Sequence, residues 1–238
     1  MAGITTTIDH TLEEAQKHRT AAAASPAVSS VPLTSAKLES GLRDTLWRFV
    51  HEECIPAERV YAEYMAEVPH KKRFAVHPPI METLKSRARE LGLWNLWMTD
   101  EYPQSTTGLT LSEYAPLAEI MGRSFLASEA CNCSAPDTGN MEVLAKYGSP
   151  AQQASWLRPL LDGSIRSAFL MTEPAVASSD ARNICTTMHR DGDEYVVNGT
   201  KWWSTGACNP RCKVAIVSTS PPHPPPLPAH APMRLCSG

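Results

Sequence analysis

The chain lacks the features that would place it in a membrane, secreted or nucleic-acid-binding class. No apolar run approaches the roughly 18 residues that a membrane-spanning helix needs. The N-terminus lacks the basic start and apolar core of a signal peptide, so no clear targeting signal is present. The net charge of −3, from 22 basic and 25 acidic residues, gives no electrostatic reason to expect nucleic acid or anionic lipid as a partner. We therefore predict an intracellular globular protein that is not membrane-spanning.

Paired cysteines are also lacking. The seven cysteines form no C-x-x-C pair, and their odd number argues against both a disulfide framework and a zinc site. Cys131–Cys133 and Cys208–Cys212 come nearest to a ligand spacing, and free thiols in a reducing compartment explain both more simply. The histidines show no mutual spacing that builds a metal site either. We predict that the protein binds no metal.

Proline, in contrast, is abundant and unevenly distributed. The chain has 20 prolines, and seven of them lie between Pro221 and Pro232. This density excludes a helix or a paired strand, so we predict a Pro-rich disordered tail at 219–238. The tail is either a ligand for an SH3 or WW module or, as we favour, a spurious end of a truncated transcript. Residues 1–36, rich in Thr, Ala and Ser, are predicted to be a flexible leader.

Helical periodicity dominates 37–163. One face of the first predicted helix carries apolar residues at spacings of three and four, namely Leu38, Leu42, Leu46 and Phe49. Pro56 either kinks this helix or starts a second one at its first turn. A further helix is predicted at 79–91, and the apolar segment 93–98 that follows is expected to be a buried connector.

Capping patterns define the remaining helices of this region. Thr110-Leu111-Ser112-Glu113 is a capping box, and Ser149-Pro150-Ala151-Gln152 repeats the pattern with proline at the first helical position. Pro136-Asp137 starts the helix between them, and Gly148 is predicted to end it in the left-handed conformation. Residues 37–163 are therefore predicted to form an all-helical N-terminal domain of five or six helices.

The periodicity changes to that of β-strands at Ser164. Strands are predicted at 165–171, 195–203 and 213–218, with Asn198-Gly199 as the turn of a hairpin. These strands would leave open sheet edges, so 164–218 is predicted to be a partial β domain. The predicted fold class is mainly α with a partial β domain.

Two segments of the β region have the composition of a ligand site. Phe169–Asp180 opens as a short apolar run and closes, after Pro174, as a turn of small residues and hydroxyls. Backbone N–H groups in such a turn can approach a flat or anionic ligand closely, and the hydroxyls add donors. Lys201–Gly206 sets two tryptophans beside two more hydroxyls. Together the segments would form a polar slot with an aromatic wall.

These segments resemble the flavin motifs of the acyl-CoA dehydrogenase family, and in particular of the branch called family members ten and eleven. Thr172–Asp180 carries one residue more than the common Thr-Glu-Pro-Gly-x-Gly-Ser-Asp form, as in that branch. Gly92–Leu96, Glu129–Glu142 and Asn209–Cys212 are also similar to that branch. The resemblance covers roughly 37–218.

The resemblance implies a helical N-terminal domain, a middle β domain and a C-terminal helical bundle, with FAD held between the domains and across a subunit contact. On this basis the chain is expected to be truncated after the start of the middle β domain, with the bundle missing. A homodimer or tetramer and a mitochondrial or peroxisomal location are implied for the full-length family. The chain alone is expected to bind FAD weakly or not at all and to be inactive.

The resemblance also implies which residues contact FAD. Thr172 would bond the isoalloxazine ring, and Ser179 would reach a phosphate and border the acyl-CoA path. Trp203 would flank the ring, with Thr205 close to its reactive edge. The implied cofactor-binding set is Phe169, Leu170, Met171, Thr172, Glu173, Pro174, Ala175, Val176, Ala177, Ser178, Ser179, Trp203, Ser204 and Thr205, of which Ser179 is also substrate-binding.

The reaction implied by the resemblance is the α,β-dehydrogenation of an acyl-CoA thioester in fatty-acid β-oxidation. A carboxylate takes the α proton while the β hydride passes to the flavin, and an electron-transfer flavoprotein is an implied acceptor. The base is expected in the C-terminal bundle, so no catalytic residue is assigned here and Glu173 is interpreted as structural. Two alternatives stay open: a non-catalytic interaction protein that pairs with full-length subunits, and a flavin oxidase of the same fold.

Overall fold

The computed structural model describes residues 35–192 and 194–220, with side chains from residue 41 onward. Apart from 35–36 and 219–220, the predicted leader and the predicted Pro-rich tail lie outside these residues. None of the helices described is long and apolar enough to cross a membrane. The chain divides into two compact units: a first unit that runs to Ala168 and includes Thr205–Ala215, and a second unit that comprises Phe169–Ser204 and the chain from Ile216.

Helices make up most of the first unit. They occur in the region where helical periodicity was predicted, and two short π-helical stretches interrupt them. In chain order they are α1 (Ser35–Arg48), a π stretch (Phe49–Cys54), α2 (Ile55–Glu67), α3 (Pro79–Glu90), α4 (Leu111–Met121), α5 (Ala127–Ala130), α6 (Asp137–Tyr147), α7 (Pro150–Gln152), a second π stretch (Gln153–Leu157) and α8 (Arg158–Leu161).

Local capping residues set where several of these helices begin. Thr110 Oγ1 accepts from the backbone N–H of Glu113, and the Glu113 carboxylate accepts from the N–H of Thr110, which confirms the capping box before α4. Ser149 and Gln152 make the same reciprocal pair before α7. Pro56 lies in the first turn of α2, which follows the π stretch directly.

The prediction for Gly148 was wrong. Gly148 ends α6, but its backbone is extended, with φ −69° and ψ 138°. A Cβ at this position would lie 2.5 Å from the carbonyl oxygen of Leu144, so glycine is needed there for close approach and not for a left-handed conformation. The left-handed conformation occurs instead at Gly163, which follows α8 with φ +71°.

Two apolar clusters form the core of the first unit. The larger gathers buried side chains from the first five helices, their π stretch and the connector, among them Leu46, Phe49, Val50, Met81, Leu84, Leu93, Leu96, Leu117, Ile120, Met121 and Leu126. The smaller consists of Trp97, Met98, Tyr102, Met141, Leu144, Leu157 and Leu160. Because 93–98 contributes side chains to both clusters, the prediction of a buried connector is confirmed.

Four strands follow the helices: β1 (Arg166–Leu170), β2 (Thr187–Asp191), β3 (Glu194–Asn198) and β4 (Cys212–Val217). β1 pairs with β4, and β2 pairs antiparallel with β3 from Thr187–Asn198 to Asp191–Glu194. The sequence predicted β1 and β4. It also predicted a strand at 195–203, of which 195–198 lie in β3 and 199–203 are not a strand. It missed β2, because the residues of β2 are mostly polar and its side chains are mostly exposed.

The predicted turn of the β hairpin was also wrong. The chain reverses between β2 and β3 at Gly192, whose φ of +60° needs glycine. Asn198-Gly199 lies instead at the far end of β3. A Cβ at Gly199 would come within 2.3 Å of Thr186 Oγ1, so this glycine permits a close approach between two chain segments.

Candidate functional site

The two predicted site segments lie in the second unit, except for Thr205, which opens a 3₁₀ turn at Thr205–Cys208 in the first unit. After β1, the first segment runs without regular structure to Asp180. Asp180 then caps a short 3₁₀ turn at Ala181–Asn183 by accepting from the N–H of Arg182. The segment is therefore shaped by side-chain contacts and not by a sheet.

Glu173 is the centre of these contacts. Its side chain is buried, and Lys201 Nζ lies 2.8 Å from its Oε1. The backbone N–H of Cys185 donates to Oε2 at 2.8 Å, and Thr186 donates to Oε1 from both its N–H and its hydroxyl. The hydrogen bonds from Lys201 and Thr186 lower the pKa of Glu173 to about 2, so the carboxylate is ionised at neutral pH.

Lys201 and Trp202 join the second segment to the first. Lys201 Nζ donates to the carbonyl oxygen of Met171 at 2.9 Å as well as to Glu173. The backbone N–H of Trp202 donates to the carbonyl oxygen of Thr172 at 3.0 Å. The structure thus brings the two segments together, through an ion pair and two hydrogen bonds to backbone carbonyls.

Ser178 faces the interior of its own segment. Its hydroxyl oxygen accepts from the N–H of Glu173 at 2.8 Å, and its Oγ lies 3.3 Å from the carbonyl oxygen of Val176. Ser178 is almost fully buried, so its hydroxyl closes the turn from inside. Asn183 Nδ2 donates to the carbonyl oxygen of Ala177 and supports the same turn.

The other side chains of the two segments are exposed or half-buried. Within the described part of the chain, neither Thr172 Oγ1 nor Ser179 Oγ makes a hydrogen bond, so both hydroxyls are free to bind a ligand. Ser179 is exposed, and Thr172 is half-buried. Of the remaining predicted positions, Phe169, Pro174, Ala175, Ala177 and Thr205 are exposed, whereas Leu170, Met171, Val176 and Ser204 are half-buried.

Trp203 has an unusual backbone. Its φ is +54°, a left-handed value that is costly for a bulky side chain, on the order of 1–3 kcal/mol. Its indole is 79% exposed and lies 5.7 Å from that of Trp202 between ring centroids, with the planes inclined by 57°. A strained residue that exposes a large aromatic plane is typical of a ligand site.

A buried charge cluster in the first unit was not predicted. Glu129 Oε1 lies 2.9 Å from Lys85 Nζ and 2.9 Å from Arg166 Nη1, and Asp137 Oδ2 lies 2.6 Å from Arg166 Nε. Burial alone would raise the pKa of Glu129, but the cations of Arg166 and Lys85 outweigh it and lower that pKa. Because the partners are distant in sequence, no local spacing could have indicated the cluster.

The cysteines of the described region are free thiols. Burial raises the pKa of Cys54 and of Cys133 to about 12 in each case, which makes both unreactive as thiolates at neutral pH. Residues 35–192 and 194–220 contain no group of three His, Cys, Asp or Glu side chains that could hold a metal ion.

Comparison with known protein families assigns both regions of the chain. Residues 37–164 match the acyl-CoA dehydrogenase N-terminal domain, and residues 168–232 match the acyl-CoA dehydrogenase middle domain. The chain belongs to the acyl-CoA dehydrogenase family. The predicted fold class, a helical N-terminal domain followed by the first strands of the middle domain, is thereby confirmed.

Individual relatives agree with the family assignment. A probable acyl-CoA dehydrogenase, FadE2, of Mycobacterium tuberculosis is 56% identical over 176 residues, which are 74% of this chain. Acyl-CoA dehydrogenase family member 11 of Mus musculus is 50% identical over 170 residues, or 71% of this chain. The structure of a putative acyl-CoA dehydrogenase from Mycobacterium abscessus is similar with a TM-score of 0.70 and 48% identity over 78% of this chain.

These relatives are longer than the chain. It spans 42% of the Mycobacterium tuberculosis protein, 21% of the mouse protein and 46% of the chain from Mycobacterium abscessus. The similarity to family member 11 confirms the resemblance to the branch of members ten and eleven that the motifs indicated.

Proposed function

We propose that this acyl-CoA dehydrogenase family chain carries the flavin-facing segments of an FAD-dependent enzyme that removes hydrogen from the α and β carbons of an acyl-CoA thioester. The observation that supports this most is the joining of Met171–Glu173 to Lys201–Trp202. The free hydroxyls of Thr172 and Ser179 lie on the first segment, and that contact fixes the first segment to the one that carries Trp203. A flat ring system with attached phosphates suits such a donor set.

The residues of the chain would bind and orient the cofactor. Thr172 would donate to the flavin ring, Ser179 would donate to a phosphate and border the substrate path, and Trp203 would cover one face of the ring. FAD, when bound, supplies the acceptor for the hydride. Glu173 would not act as the base, because its carboxylate oxygens already accept from Lys201 and from the Cys185–Thr186 backbone.

The wider role in fatty-acid β-oxidation is part of the proposal. The thioester would be a fatty acyl-CoA, and the electrons would pass to an electron-transfer flavoprotein. A homodimeric or tetrameric assembly in a mitochondrion or peroxisome belongs to the same proposal, and it rests on membership of the family. The domain limits that we propose are a leader at 1–36, a helical domain at 37–163, a middle-domain part at 164–218 and a tail at 219–238.

FAD binding to the full 238-residue chain tests the proposal. The family resemblance implied weak binding or none for this chain, and we propose weak binding, because the two segments are already joined. Equilibrium dialysis should therefore show saturable binding with a Kd between about 10 µM and 1 mM, or roughly 4–7 kcal/mol. Because Thr172 would lose a hydrogen bond on the order of 1 kcal/mol, T172A should weaken binding about fivefold.

The matched control is T187A, which removes a hydroxyl in β2 of the same unit and should leave the Kd for FAD unchanged. An absence of saturable binding at about 1 mM FAD, or an equal effect of T172A and T187A, would contradict the proposal.

A further inference from the structure

We propose that Lys201 and Glu173 are positioning residues for the flavin: their buried ion pair holds the strained backbone of Trp203 beside the Thr172 segment. We call this pair the Glu173–Lys201 clamp. The inference rests on the proposed flavin site and goes beyond it, because it assigns a role to two side chains that would not touch the ligand.

Both carboxylate oxygens of the clamp accept hydrogen bonds from within the protein. Glu173 Oε1 accepts from Lys201 and from both donors of Thr186, and Oε2 accepts from the N–H of Cys185. A buried carboxylate with these partners stays ionised and is not available to take a proton from a substrate. Its contacts instead connect three parts of the second unit: the Phe169–Asp180 segment, Cys185–Thr186 just before β2, and Lys201 of the second segment.

The ammonium group of the clamp is also paired within the protein. Lys201 Nζ donates to Glu173 at 2.8 Å and to the Met171 carbonyl at 2.9 Å, and its side chain is 10% exposed. Such a buried and paired ammonium is not presented to the phosphates of a ligand. Lys201 therefore acts on the site through the backbone that follows it.

The residue on which the clamp acts is Trp203. The side chain of Lys201 is anchored two residues before Trp203, and the N–H of Trp202 is anchored to Thr172 one residue before it. A left-handed backbone at a bulky residue persists only where its surroundings hold it. When Lys201 is released, one of these two anchors is lost, and Trp203 can relax from φ +54°.

The first test needs no flavin. The indoles of Trp202 and Trp203 lie 5.7 Å apart between ring centroids, so we expect them to give a near-UV circular dichroism band that W203F removes. We expect K201M to remove the same band. The double variant K201M/W203F should show no further loss of near-UV signal relative to K201M. K146M is the matched control, because it breaks an exposed lysine–carboxylate pair of similar length, 2.7 Å, to Glu142. K146M should keep the band.

A pH titration of the unmodified chain covers the case in which K201M fails to fold. Glu173 has its pKa lowered from 4.5 to about 2, so the clamp should be intact above pH 4.5 and should be lost as pH falls toward 2. The tryptophan band should disappear as pH falls toward 2. In E173Q, which lacks the ion pair at every pH, the band should already be missing at neutral pH.

FAD binding completes the test. We expect K201M to raise the Kd for FAD about tenfold, while K146M leaves it unchanged. A K201M protein that is less stable but keeps both the tryptophan band and the Kd would overturn the positioning role. If the unmodified chain shows no FAD binding while K201M still loses the band, the flavin proposal fails and the effect of the clamp on Trp203 stands.

Discussion

The two units of the chain are stabilised by different kinds of contact. In the first unit, large apolar side chains such as Phe49 and Leu96 are fully buried in two clusters. In the second unit, Ile184 is the buried apolar residue among those described, whereas Glu173, Ser178 and Thr186 are buried polar residues. The hairpin of β2 and β3 exposes side chains on both faces, as Tyr195 and Val196 show.

This difference follows from the geometry that each unit has to provide. Apolar burial is roughly proportional to area and has no direction, so it stabilises a helical scaffold without fixing one atom relative to another. Hydrogen bonds and ion pairs weaken steeply when their geometry changes, so they can fix a short segment to within a few tenths of an ångström. The segments proposed to face the flavin are held in this second way.

The largest expected effect is therefore in the apolar core. Phe49→Ala should lower the free energy of unfolding of the first unit by about 3–5 kcal/mol, because it removes a buried aromatic ring and leaves a cavity. Urea unfolding followed by far-UV circular dichroism measures this loss. Phe74→Ala, the same substitution at a site that is 63% exposed, is the control and should stay within about 0.5 kcal/mol of the unmodified chain. Equal losses for the two variants would contradict the comparison.

The helical scaffold could be predicted from the sequence because its signals are local. The capping residues Thr110 and Ser149 lie within one turn of the groups they cap, and the apolar spacing that begins at Leu38 repeats along one face. Each signal needs a window of only a few residues, and this is why the predicted limits of most helices agree with the structure.

The glycines show where local signals fail. Gly148 and Gly199 each follow a pattern that is typical of positive φ, yet both are needed because another atom approaches closely. At Gly199 that atom belongs to Thr186, thirteen residues earlier in the chain. A close approach depends on tertiary structure, which a sequence window does not contain.

The candidate site was only partly predictable for the same reason. The motifs identified Thr172–Ser179 and Trp203–Thr205 as segments, and the interpretation of Glu173 as structural agrees with its buried contacts. The identity of its partner, Lys201, and the left-handed backbone of Trp203 could not be predicted. Both depend on how two segments separated by about thirty residues come together.

A smaller effect is expected at Gly199, where two chain segments of the second unit approach each other closely. Gly199→Ala would place a Cβ 2.3 Å from Thr186 Oγ1 and 2.9 Å from its Cα, so the backbone must move, at a cost of about 1–3 kcal/mol. The tryptophan band of Trp202 and Trp203 should melt at a lower temperature, because Thr186 supports Glu173.

Gly139→Ala is the matched control for this substitution. Gly139 lies inside α6, and no atom outside the backbone of its own helix would come within 4 Å of a Cβ there. Alanine should therefore stabilise the helix by about 0.5–1 kcal/mol. If Gly199→Ala also stabilised the protein, the close approach between Gly199 and Thr186 would be refuted.

The smallest expected effect concerns a polar site within the apolar first unit. His77 Nε2 lies 2.7 Å from Glu82 Oε1, 2.9 Å from Arg211 Nη2 and 3.4 Å from Lys85 Nζ, and its Nδ1 lies 3.9 Å from Glu129 Oε1. Burial, reinforced by the cations of Lys85 and Arg211, lowers the pKa of His77 against the opposing effect of the two carboxylates.

A lowered pKa in the folded state makes His77 a source of acid sensitivity. Above pH 6.5 the imidazole is neutral in both states, and its contribution to stability is complete. As pH falls below 6.5, the unfolded chain takes up the proton first, so stability is lost at less than about 1.4 kcal/mol per pH unit from this one group. His77→Gln should remove this slope just below pH 6.5, measured by urea unfolding at each pH. The slope at pH 8 should be the same in both proteins, and an unchanged slope near pH 6 in the variant would mean that other groups of the first unit determine its response to acid.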